Sequence, residues 1–449
     1  MSGREDAGSY YIETWGCQMN VLDAAKLSGA LEQHGYHRVD RAEQADVVLL
    51  NTCAIREKAE EKVYSELGRL RPLKEARPGV VLGVCGCVAQ REGEAVFARA
   101  PHVDLVIGTR ATGSLPILVE RLRSGDASAR HTVDVALRED SIRFAFDRIR
   151  REEGTARAYV TIIEGCNHRC TFCVVPSTRG REISRDFDDV LAEVRSLAGR
   201  GVVEVEFLGQ TVNAYRDRSG RGLGDLLVEA SRVDGIARLR FTTSHPAQMT
   251  DRLIDRMAEA RPALCPYLHL PVQSGSSRVL AAMRRGYDRD GYLDRLRAVR
   301  SRMPEMCFGT DVIVGFPGES EADFELTLDL LREVEFDTVY AFTYSPRPGT
   351  PAATMGEEIP EAAKFERLAR LQAEQHAIQD RRAHRFIGRD VEVLVDGPSK
   401  RDASLWSGRT PEARLVHFPG VTSAGKRERV RIEGATAYSL RGSLQLSPS

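Results

Sequence analysis

The sequence of 449 residues has no long uncharged hydrophobic segment, only two tryptophans and no excess of charge of either sign. Its longest nearly apolar run, residues 79–89, is far shorter than the roughly 20 residues that a membrane-spanning helix requires. The first residues, MSGREDAGSYY, lack the basic and apolar regions of a secretory signal peptide. We therefore expect a cytoplasmic protein that makes no contact with a membrane.

The charges nearly cancel, since 64 Lys and Arg oppose 65 Asp and Glu and leave a net charge of -1. Any contact with nucleic acid must therefore come from a local basic patch rather than from the charge of the whole chain. Because the chain carries no export signal, its nine cysteines are expected to be thiols or metal ligands rather than disulfides. A chain of this length also predicts two or three domains.

Alternating strand and helix patterns predict an α/β fold for most of the chain. Residues 8–125 show the alternation of a doubly wound parallel sheet, and the charge-rich residues 126–151 are interpreted as a linker. Residues 152–384 predict an open, partial TIM-like (βα)6 barrel whose chemistry lies at the carboxyl ends of its strands. Residues 385–447 contain short strands broken by Gly, Pro and Ser, which are typical of a small antiparallel β-barrel.

The predicted strands can be stated individually. In the first domain they are residues 10–15, 46–51, 80–84 and 103–107. In the partial barrel they end near Ile163, Leu208, Thr243, Leu270, Val314 and Tyr344.

The sharpest motif is CNHRCTFC, which places Cys166, Cys170 and Cys173 directly after the apolar run AYVTII. Three thiolates on one short loop can hold three irons of a [4Fe-4S] cluster and leave the fourth iron open to another ligand. A structural zinc site needs four closed ligands, and the loop adds only the poorly spaced His168. A redox pair of Cys170 and Cys173 would leave Cys166 unexplained.

Three further cysteines, Cys17, Cys53 and Cys87, each follow one of the first three predicted strands. The carboxyl ends of parallel strands share one edge of the sheet, where ligands usually bind, so we expect these thiols to converge on a second cluster. Core packing could explain any one of them, because cysteine is often a small buried residue. Cys85 is a competing candidate, but Cys87 lies nearer the turn.

The first of these loops resembles the radical S-adenosylmethionine (SAM) superfamily, in which this cysteine spacing binds the cluster that chelates SAM. Phe172 matches the aromatic position expected beside the SAM adenine. Together with the N-terminal cysteines and the last barrel, the chain resembles the methylthiotransferases along nearly its entire length. The resembling segments are GCNHRCTFCVVPSTRGREISR, LGQTVNAY, LHLPVQSGS, GTDVIVGFPGE, YSPRPGTPA and VEVLVDGPSKRDASLWSGRT. The chain departs from the family pattern at His168, Arg169 and Thr211, none of which is a proposed cluster ligand.

The resemblance implies that two SAM molecules are used in each turnover. One methylates a sulfur associated with the cluster of Cys17, Cys53 and Cys87, and the other is cleaved at the second cluster. The radical formed then activates C2 of an N6-(dimethylallyl)adenosine next to the anticodon of a tRNA, and the methylthio group is delivered there. Since the sulfur must wait within reach of that carbon, the two cluster edges are expected to face each other.

The same resemblance implies the cofactors and partners. The cofactors are two [4Fe-4S] clusters and SAM. The partners are the anticodon stem-loop of tRNA, an electron donor such as flavodoxin or ferredoxin, and a protein that supplies sulfur or clusters.

Several polar residues at predicted strand ends are candidates for gripping SAM or the adenosine. They are Gln210, Asn213, Ser244, Gln273 and Asp311. For each of them a turn cap or a satisfied loop residue is an equally good interpretation. Arg179 and Arg181 are candidates for the SAM carboxylate or an RNA phosphate, although arginine on a loop is more often a solvated charge.

The last domain resembles the TRAM module, an RNA-binding barrel. Its candidate RNA-binding residues combine basic side chains with one aromatic ring for stacking, and they are Lys400, Arg401, Trp406, Arg409 and Arg414. An ordinary solvated face remains the alternative for each of them.

Two rival functions remain open from the sequence. One is a related methylthiotransferase acting on threonylcarbamoyladenosine in tRNA or on a ribosomal-protein aspartate, and the segments SKRDASLWSGRT and NAY argue against it. The other is a noncatalytic RNA-binding iron–sulfur protein, which would need no cluster with an open iron.

Overall fold

The computed structural model describes residues 7–53, 57–138, 149, 154–356 and 358–445, except for the side chains of residues 57–60. The chain divides into two compact units. Unit 1 comprises residues 1–152, 164–168 and 174–185, and unit 2 comprises residues 153–163, 169–173 and 186–449. Part of the predicted linker, residues 139–148 and 150–151, lies outside the described residues.

Unit 1 is built on a parallel sheet of six strands. The strands are β1 (Gly8–Trp15), β2 (Tyr36–Arg38), β3 (Val47–Thr52), β4 (Val81–Gly86), β5 (Leu105–Ile107) and β6 (Thr132–Asp134). The helices between and after them are α1 (Gln18–Glu32), α2 (Glu57–Ala76), α3 (Cys87–Glu92), α4 (Ala95–Arg99) and α5 (Leu115–Arg123). The strands lie in the order β2-β1-β3-β4-β5-β6.

Two hydrophobic cores cover the two faces of this sheet. One contains Leu27 of α1 and Leu115 of α5, and the other contains Val63 of α2 and Val96 of α4. The central strands β3 and β4 are buried along their whole length, which explains their continuous apolar sequences. The predicted doubly wound parallel sheet is therefore confirmed.

Two strands of this sheet were not predicted. Both β2 and β6 have three residues, and each carries polar or charged side chains that give no strand signal. Because β6 pairs with β5, through Leu105 and Thr132, the sheet extends beyond residue 125. The first part of the stretch interpreted as a linker therefore belongs to the sheet.

Unit 2 contains six parallel strands that alternate with helices, as predicted. The strands are β7 (Arg157–Thr161), β10 (Glu204–Leu208), β11 (Arg238–Phe241), β12 (Tyr267–His269), β13 (Cys307–Val314) and β14 (Thr338–Thr343). The helices are α7 (Phe187–Gly199), α8 (Leu223–Ser231), α9 (Asp251–Glu259), α10 (Ser277–Ala282), α11 (Arg289–Arg302), α12 (Glu321–Val334) and α13 (Glu361–His384). Between β7 and β10 the chain forms β8 (Ile163–Glu164), α6 (Val175–Arg179) and β9 (Ile183–Ser184). Of these elements, α6 and β9 belong to unit 1.

The six strands form two ladders of three, β7-β10-β11 and β12-β13-β14. A single parallel bridge from Leu239 of β11 to Leu264 connects the first ladder to the segment that leads into β12. Side chains such as Val160, Phe207 and Phe308 belong to one continuous core. This arrangement is the predicted open, partial barrel.

Side-chain caps begin most of the helices around this barrel, and each cap satisfies a backbone N–H group in the first turn of its helix. The capping residues are Asp186 for α7, Thr250 for α9, Ser276 for α10, Asp288 for α11 and Ser320 for α12.

The last part of unit 2 is a closed barrel. Its strands are β15 (Asp390–Pro398), β16 (Trp406–Arg409), β17 (Leu415–Phe418), β18 (Arg427–Ala435) and β19 (Ser439–Leu444). Four of its five pairings are antiparallel, as predicted, but β17 and β19 pair in parallel. β18 lies between β17 and β19 in the chain and runs antiparallel to β19. When the barrel closes, β17 therefore pairs with a strand that runs in its own direction. Its core contains Val393, Val416, Phe418 and Val430.

A buried carboxylate connects three parts of unit 2. Asp337, just before β14, accepts hydrogen bonds from Arg382 of α13 at 2.9 Å, from Arg385 at 3.1 Å and from Arg414 beside β17 at 3.1 Å. Burial opposes ionisation of Asp337, but the bonds and charges of these guanidinium groups hold its pKa below the usual range.

Among the described residues, each helix is too short or too polar to serve as a membrane span.

Candidate cluster-binding and RNA-binding sites

The N-terminal cysteines lie at one edge of the unit 1 sheet. Trp15 pairs with Thr52 and Thr52 pairs with Gly86, so the ends of β1, β3 and β4 are aligned side by side. Cys17, Cys53 and Cys87 follow these three aligned ends within two residues. The strand order also reverses between β1 and β3, the type of position where open α/β sheets bind ligands.

The thiols at this edge interact with one another and with an arginine. A hydrogen bond with Cys53, together with the charge of Arg179, lowers the pKa of Cys17 to about 6 despite its burial. Burial raises the pKa of Cys87, whereas the charge of Arg179 and a hydrogen bond from it act in the opposite direction. Cys17 Sγ also donates to Asn20 Oδ1 at 3.3 Å. The three thiols and one guanidinium therefore form a single polar cluster, which we call the N-terminal thiol cluster.

Two glycines permit this close approach. Gly16 and Gly86 have φ angles of +140° and +87°, a region that L side chains rarely adopt. A Cβ atom at Gly16 would lie 2.6 Å from Cβ of Cys53, and one at Gly86 would lie 2.5 Å from Oδ1 of Asn51. The glycine before Cys17 and the glycine before Cys87 are thus required by the packing at this edge.

Cys85 has a different environment from Cys87. It is 1% exposed within an apolar core, and desolvation raises the pKa of its thiol well above the usual range. Cys87 therefore differs from Cys85 in having the charge of Arg179 beside its thiol.

Arg179 is not the solvated charge that is common on loops. Its side chain is 3% exposed and its Nη2 donates to Asp23 Oδ2 at 2.6 Å. A second buried ion pair joins Nζ of Lys26 to Oε1 of Glu164 at 2.5 Å, and Nζ of Lys26 also lies 4.0 Å from Oδ1 of Asp23. Arg181, two residues later, is exposed.

The second cysteine set lies on the loop that follows β8. In unit 1, the amide of Cys166 donates to the carbonyl of Gly180 at 3.1 Å. In unit 2, the amide of Cys173 donates to the carbonyl of Cys170 at 3.1 Å, and Cys170 itself is buried. Nearby, the partly buried Phe172 packs against an apolar cluster that includes Met283. No group of three or more His, Cys, Asp or Glu side chains in the described part of the chain is spaced to hold a single metal ion.

Arg285 is a residue of this site that the sequence did not reveal. Its Nη1 donates to Cys170 Sγ at 3.2 Å, and its Nη2 donates to the carbonyl of Pro271 at 3.1 Å. It is 6% exposed and also bonds the hydroxyl of Tyr287. Because Arg285 is 115 residues away from Cys170 in the chain, no local motif indicated the contact.

The polar candidates at the barrel strand ends have different roles. The side-chain amide of Asn213 donates to the carbonyl of His245 at 2.9 Å and accepts from its amide at 2.8 Å, so Asn213 secures a loop. Ser244 is 4% exposed, and its hydroxyl has no hydrogen-bond partner among the described residues. Gln210 is half-buried.

Two further candidates meet at neighbouring strands. Gln273 has a φ of +78°, and its backbone N–H donates to the backbone carbonyl of Asp311 at 2.9 Å. The carboxylate of Asp311 contacts Nε2 of His269 at 3.1 Å. Nδ1 of His269 is buried without a hydrogen-bond partner in the described residues. The sequence does not single out His269 as a site residue, because a histidine at the end of a short strand can equally be part of the core.

The candidate RNA-binding residues divide into two groups. Lys400, Arg401 and Arg409 are exposed, and Trp406 is half-buried with its indole N–H bonded to the carbonyl of Gly420 at 3.1 Å. Arg414 is instead 7% exposed and bonded to Asp337. Its inclusion among the RNA-binding residues is corrected, because a buried guanidinium with a carboxylate partner offers no surface to a phosphate.

Known structures share the fold of this chain. The radical S-adenosylmethionine methyltransferase TsrM from Kitasatospora setae matches with a TM-score of 0.56 and 16% identity, over 77% of this chain and 75% of that one. The cobalamin-dependent S-adenosylmethionine radical enzyme OxsB matches with a TM-score of 0.52 and 12% identity, over 80% of this chain and 56% of that one.

Family models and sequence relatives are more specific. Residues 9–108 match the uncharacterized protein family UPF0004, residues 160–331 match the radical SAM superfamily and residues 384–444 match the TRAM domain. A tRNA-2-methylthio-N(6)-dimethylallyladenosine synthase of Xanthomonas euvesicatoria is 46% identical over 98% of this chain and 92% of its own. Its counterpart in Alkalilimnicola ehrlichii is 49% identical over 97% of both chains. The chain therefore belongs to the family of tRNA-2-methylthio-N(6)-dimethylallyladenosine synthases.

Proposed function

We propose that this chain catalyses radical SAM-dependent methylthiolation of C2 of N6-(dimethylallyl)adenosine beside the anticodon of tRNA. The observation that carries the proposal is 46% to 49% identity with synthases of that name over 97% to 98% of the chain. These relatives favour this substrate over threonylcarbamoyladenosine and over a ribosomal-protein aspartate. The radical SAM match over residues 160–331 favours an enzyme over a noncatalytic RNA-binding protein.

The chain offers two sets of thiols for two [4Fe-4S] clusters. Strand register places Cys17, Cys53 and Cys87 at one sheet edge, and their donor chemistry suits an iron–sulfur cluster with one iron left open. Cys166, Cys170 and Cys173 share one loop and offer the same three-thiolate set. We assign both sets as cluster ligands.

The cofactors supply the chemistry that amino acid side chains lack, because an aromatic C–H bond has no useful acidity. When bound at Cys166, Cys170 and Cys173, a cluster would supply the electron for SAM cleavage, and one at Cys17, Cys53 and Cys87 would hold the sulfur that is methylated and transferred. The protein binds and orients the reactants. Phe172 offers an aromatic face to the SAM adenine, and the hydroxyl of Ser244 and the carboxylate of Asp311 offer hydrogen bonds at the strand ends.

The TRAM barrel is assigned to tRNA binding. Lys400, Arg401 and Arg409 present exposed positive charges to the phosphate backbone, and Trp406 offers part of its ring for stacking. An electron donor such as flavodoxin or ferredoxin and a protein that supplies sulfur or clusters complete the proposed set of partners in the cytoplasm.

Mass analysis of tRNA nucleosides tests this function. A strain that lacks the gene should accumulate N6-(dimethylallyl)adenosine, and the full chain should restore its 2-methylthio derivative. Replacing all three of Cys17, Cys53 and Cys87 by alanine should abolish the restoration, whereas the matched control Cys85→Ala should retain it. A gene deletion that leaves the methylthio nucleoside unchanged would refute the assignment.

A further inference from the structure

A buried positive charge lies beside the N-terminal thiol cluster. Helix α6, which ends at Arg179, packs against helix α3, which begins at Cys87. The charge of Arg179 also opposes the rise that burial causes in the pKa of Cys87. The side chain is 3% exposed, so water screens this charge only weakly. Arg179 follows the second cysteine set in sequence, but its side chain bonds Asp23 on α1, the helix that begins directly after Cys17.

The position of this charge is fixed by partners on α1. Nη2 of Arg179 is bonded at 2.6 Å to Asp23, whose side chain is 4% exposed. Glu164 adds a further negative charge that favours the guanidinium, and Lys26 holds Glu164 at 2.5 Å. Since a buried charge needs a partner to remain buried, Asp23 keeps Arg179 at the thiols and away from solvent.

Two donors at this site still lack acceptors. Nη1 of Arg179 and Nδ2 of Asn20 are buried and have no hydrogen-bond partner among the described residues. A buried donor without an acceptor costs about 1–3 kcal/mol, so such groups normally mark a place where an acceptor binds. Asn20 is also the residue that accepts from Cys17 Sγ, which places its amide at the thiols. Oδ1 of Asp23 and Oδ1 of Asn51 are likewise buried without a partner among the described residues, but only the two donors suit an anionic sulfur cluster.

We propose that Arg179, anchored by Asp23, is a positioning residue that hydrogen-bonds the anionic sulfur of the cluster held by Cys17, Cys53 and Cys87. This inference rests on the proposed function, which assigns a cluster to these thiols. Hydrogen bonds to sulfur and local net charge are the main protein features that set the reduction potential of such a cluster. A positive charge favours the reduced, more negative state, so Arg179 raises the potential and Asp23 lowers it.

The experiment uses the full chain with Cys166, Cys170 and Cys173 replaced by alanine, so that one cluster remains. Its midpoint potential is measured by redox titration followed by electron paramagnetic resonance, together with iron content. Arg179→Gln should shift the potential to more negative values, and Arg179→Lys should keep it closer to that of the parent. Asp23→Asn, a change of nearly constant shape, should shift it in the positive direction. Arg181→Gln, on the same loop but exposed, is the matched control and should leave it unchanged.

The outcomes separate the two proposals. If the parent of this series binds no iron, the cluster assignment of the proposed function fails. If the parent binds about four irons and Arg179→Gln leaves the potential unchanged, the role of Arg179 is refuted and the cluster assignment stands. If Arg179→Gln alone cannot retain iron, it is made together with Asp23→Asn, and a potential no more negative than that of Asp23→Asn overturns the inference.

Discussion

Alanine in place of Gly86 is expected to disrupt the N-terminal thiol cluster. Gly86 has a φ of +87° and a ψ of -153°, a conformation that costs a residue with a side chain about 1–3 kcal/mol. The added Cβ would lie 2.5 Å from Oδ1 of Asn51 and 2.8 Å from the carbonyl oxygen of Thr52, and such overpacking costs about 1–3 kcal/mol more. The two contributions together predict that the free energy of unfolding of unit 1 falls by about 2–6 kcal/mol.

The clash falls on residues that position the thiols. The side-chain amide of Asn51 donates to the backbone carbonyl of Asn20 at 2.7 Å, and Thr52 directly precedes Cys53. A displaced Asn51 would therefore move Asn20 and its neighbour Cys17, and a displaced Thr52 would move Cys53. Cys87 directly follows the substituted residue and would move with it. We expect the Gly86→Ala variant to lose about half of its iron, because the second cysteine set lies on another loop.

Iron content and thermal unfolding measure this effect. A loss of 1 kcal/mol lowers the unfolding temperature of a domain of this size by about 2–4 °C. Gly79→Ala is the matched control, since Gly79 lies just before the same strand and an added Cβ would contact nothing within 4 Å. A Gly86→Ala variant with the iron content and unfolding temperature of the control would refute the reasoning.

Three further predictions concern unit 2. Asp337→Ala should lower the free energy of unfolding in urea by about 3–5 kcal/mol, because three guanidinium groups lose their carboxylate. The folded pKa of Asp337 lies below its unfolded value of about 3.9, so its stabilisation is complete above that pH and is lost as the pH falls through the folded pKa. The difference between parent and variant should therefore shrink below about pH 4, and an equal difference at neutral and acid pH would contradict this role. Ser244→Ala should weaken SAM binding about tenfold in anaerobic calorimetry, a cost of about 1.4 kcal/mol, because its buried hydroxyl has no protein partner. Asn213→Ala should instead lower stability, and equal SAM affinity in the parent and Ser244→Ala would exclude this contact. Lys400→Ala with Arg401→Ala should weaken tRNA binding and reduce its logarithmic salt dependence by about 1 per phosphate contact, whereas unchanged salt dependence would exclude these residues.

The regular elements could be predicted because their sequence patterns are local. The second barrel strand ends at Leu208 and the fifth at Val314, as expected, since each strand closes with apolar residues that are typical of buried parallel strands. The three-residue strands β2 and β6 escaped prediction because they owe their structure to neighbouring strands rather than to their own composition. The parallel pair β17 and β19 depends on how the barrel closes, which no short segment encodes.

The candidate site shows the same division between local and tertiary information. The grouping of Cys17, Cys53 and Cys87 could be predicted because parallel strands end at a common edge. The arginines at the thiols could not, since Arg179 lies 156 residues from Asp23 in the chain and Arg285 lies 115 residues from Cys170. Arg414 was assigned to the surface by its charge alone, whereas the structure places it on the buried carboxylate of Asp337.

Iron and product analysis of three anaerobically prepared proteins tests the central claim most directly. The full chain should hold about eight irons, and each variant that lacks one complete cysteine set should hold about four and form no methylthiolated tRNA. A full chain with about four irons, or undiminished product after loss of Cys17, Cys53 and Cys87, would contradict the assignment of two clusters.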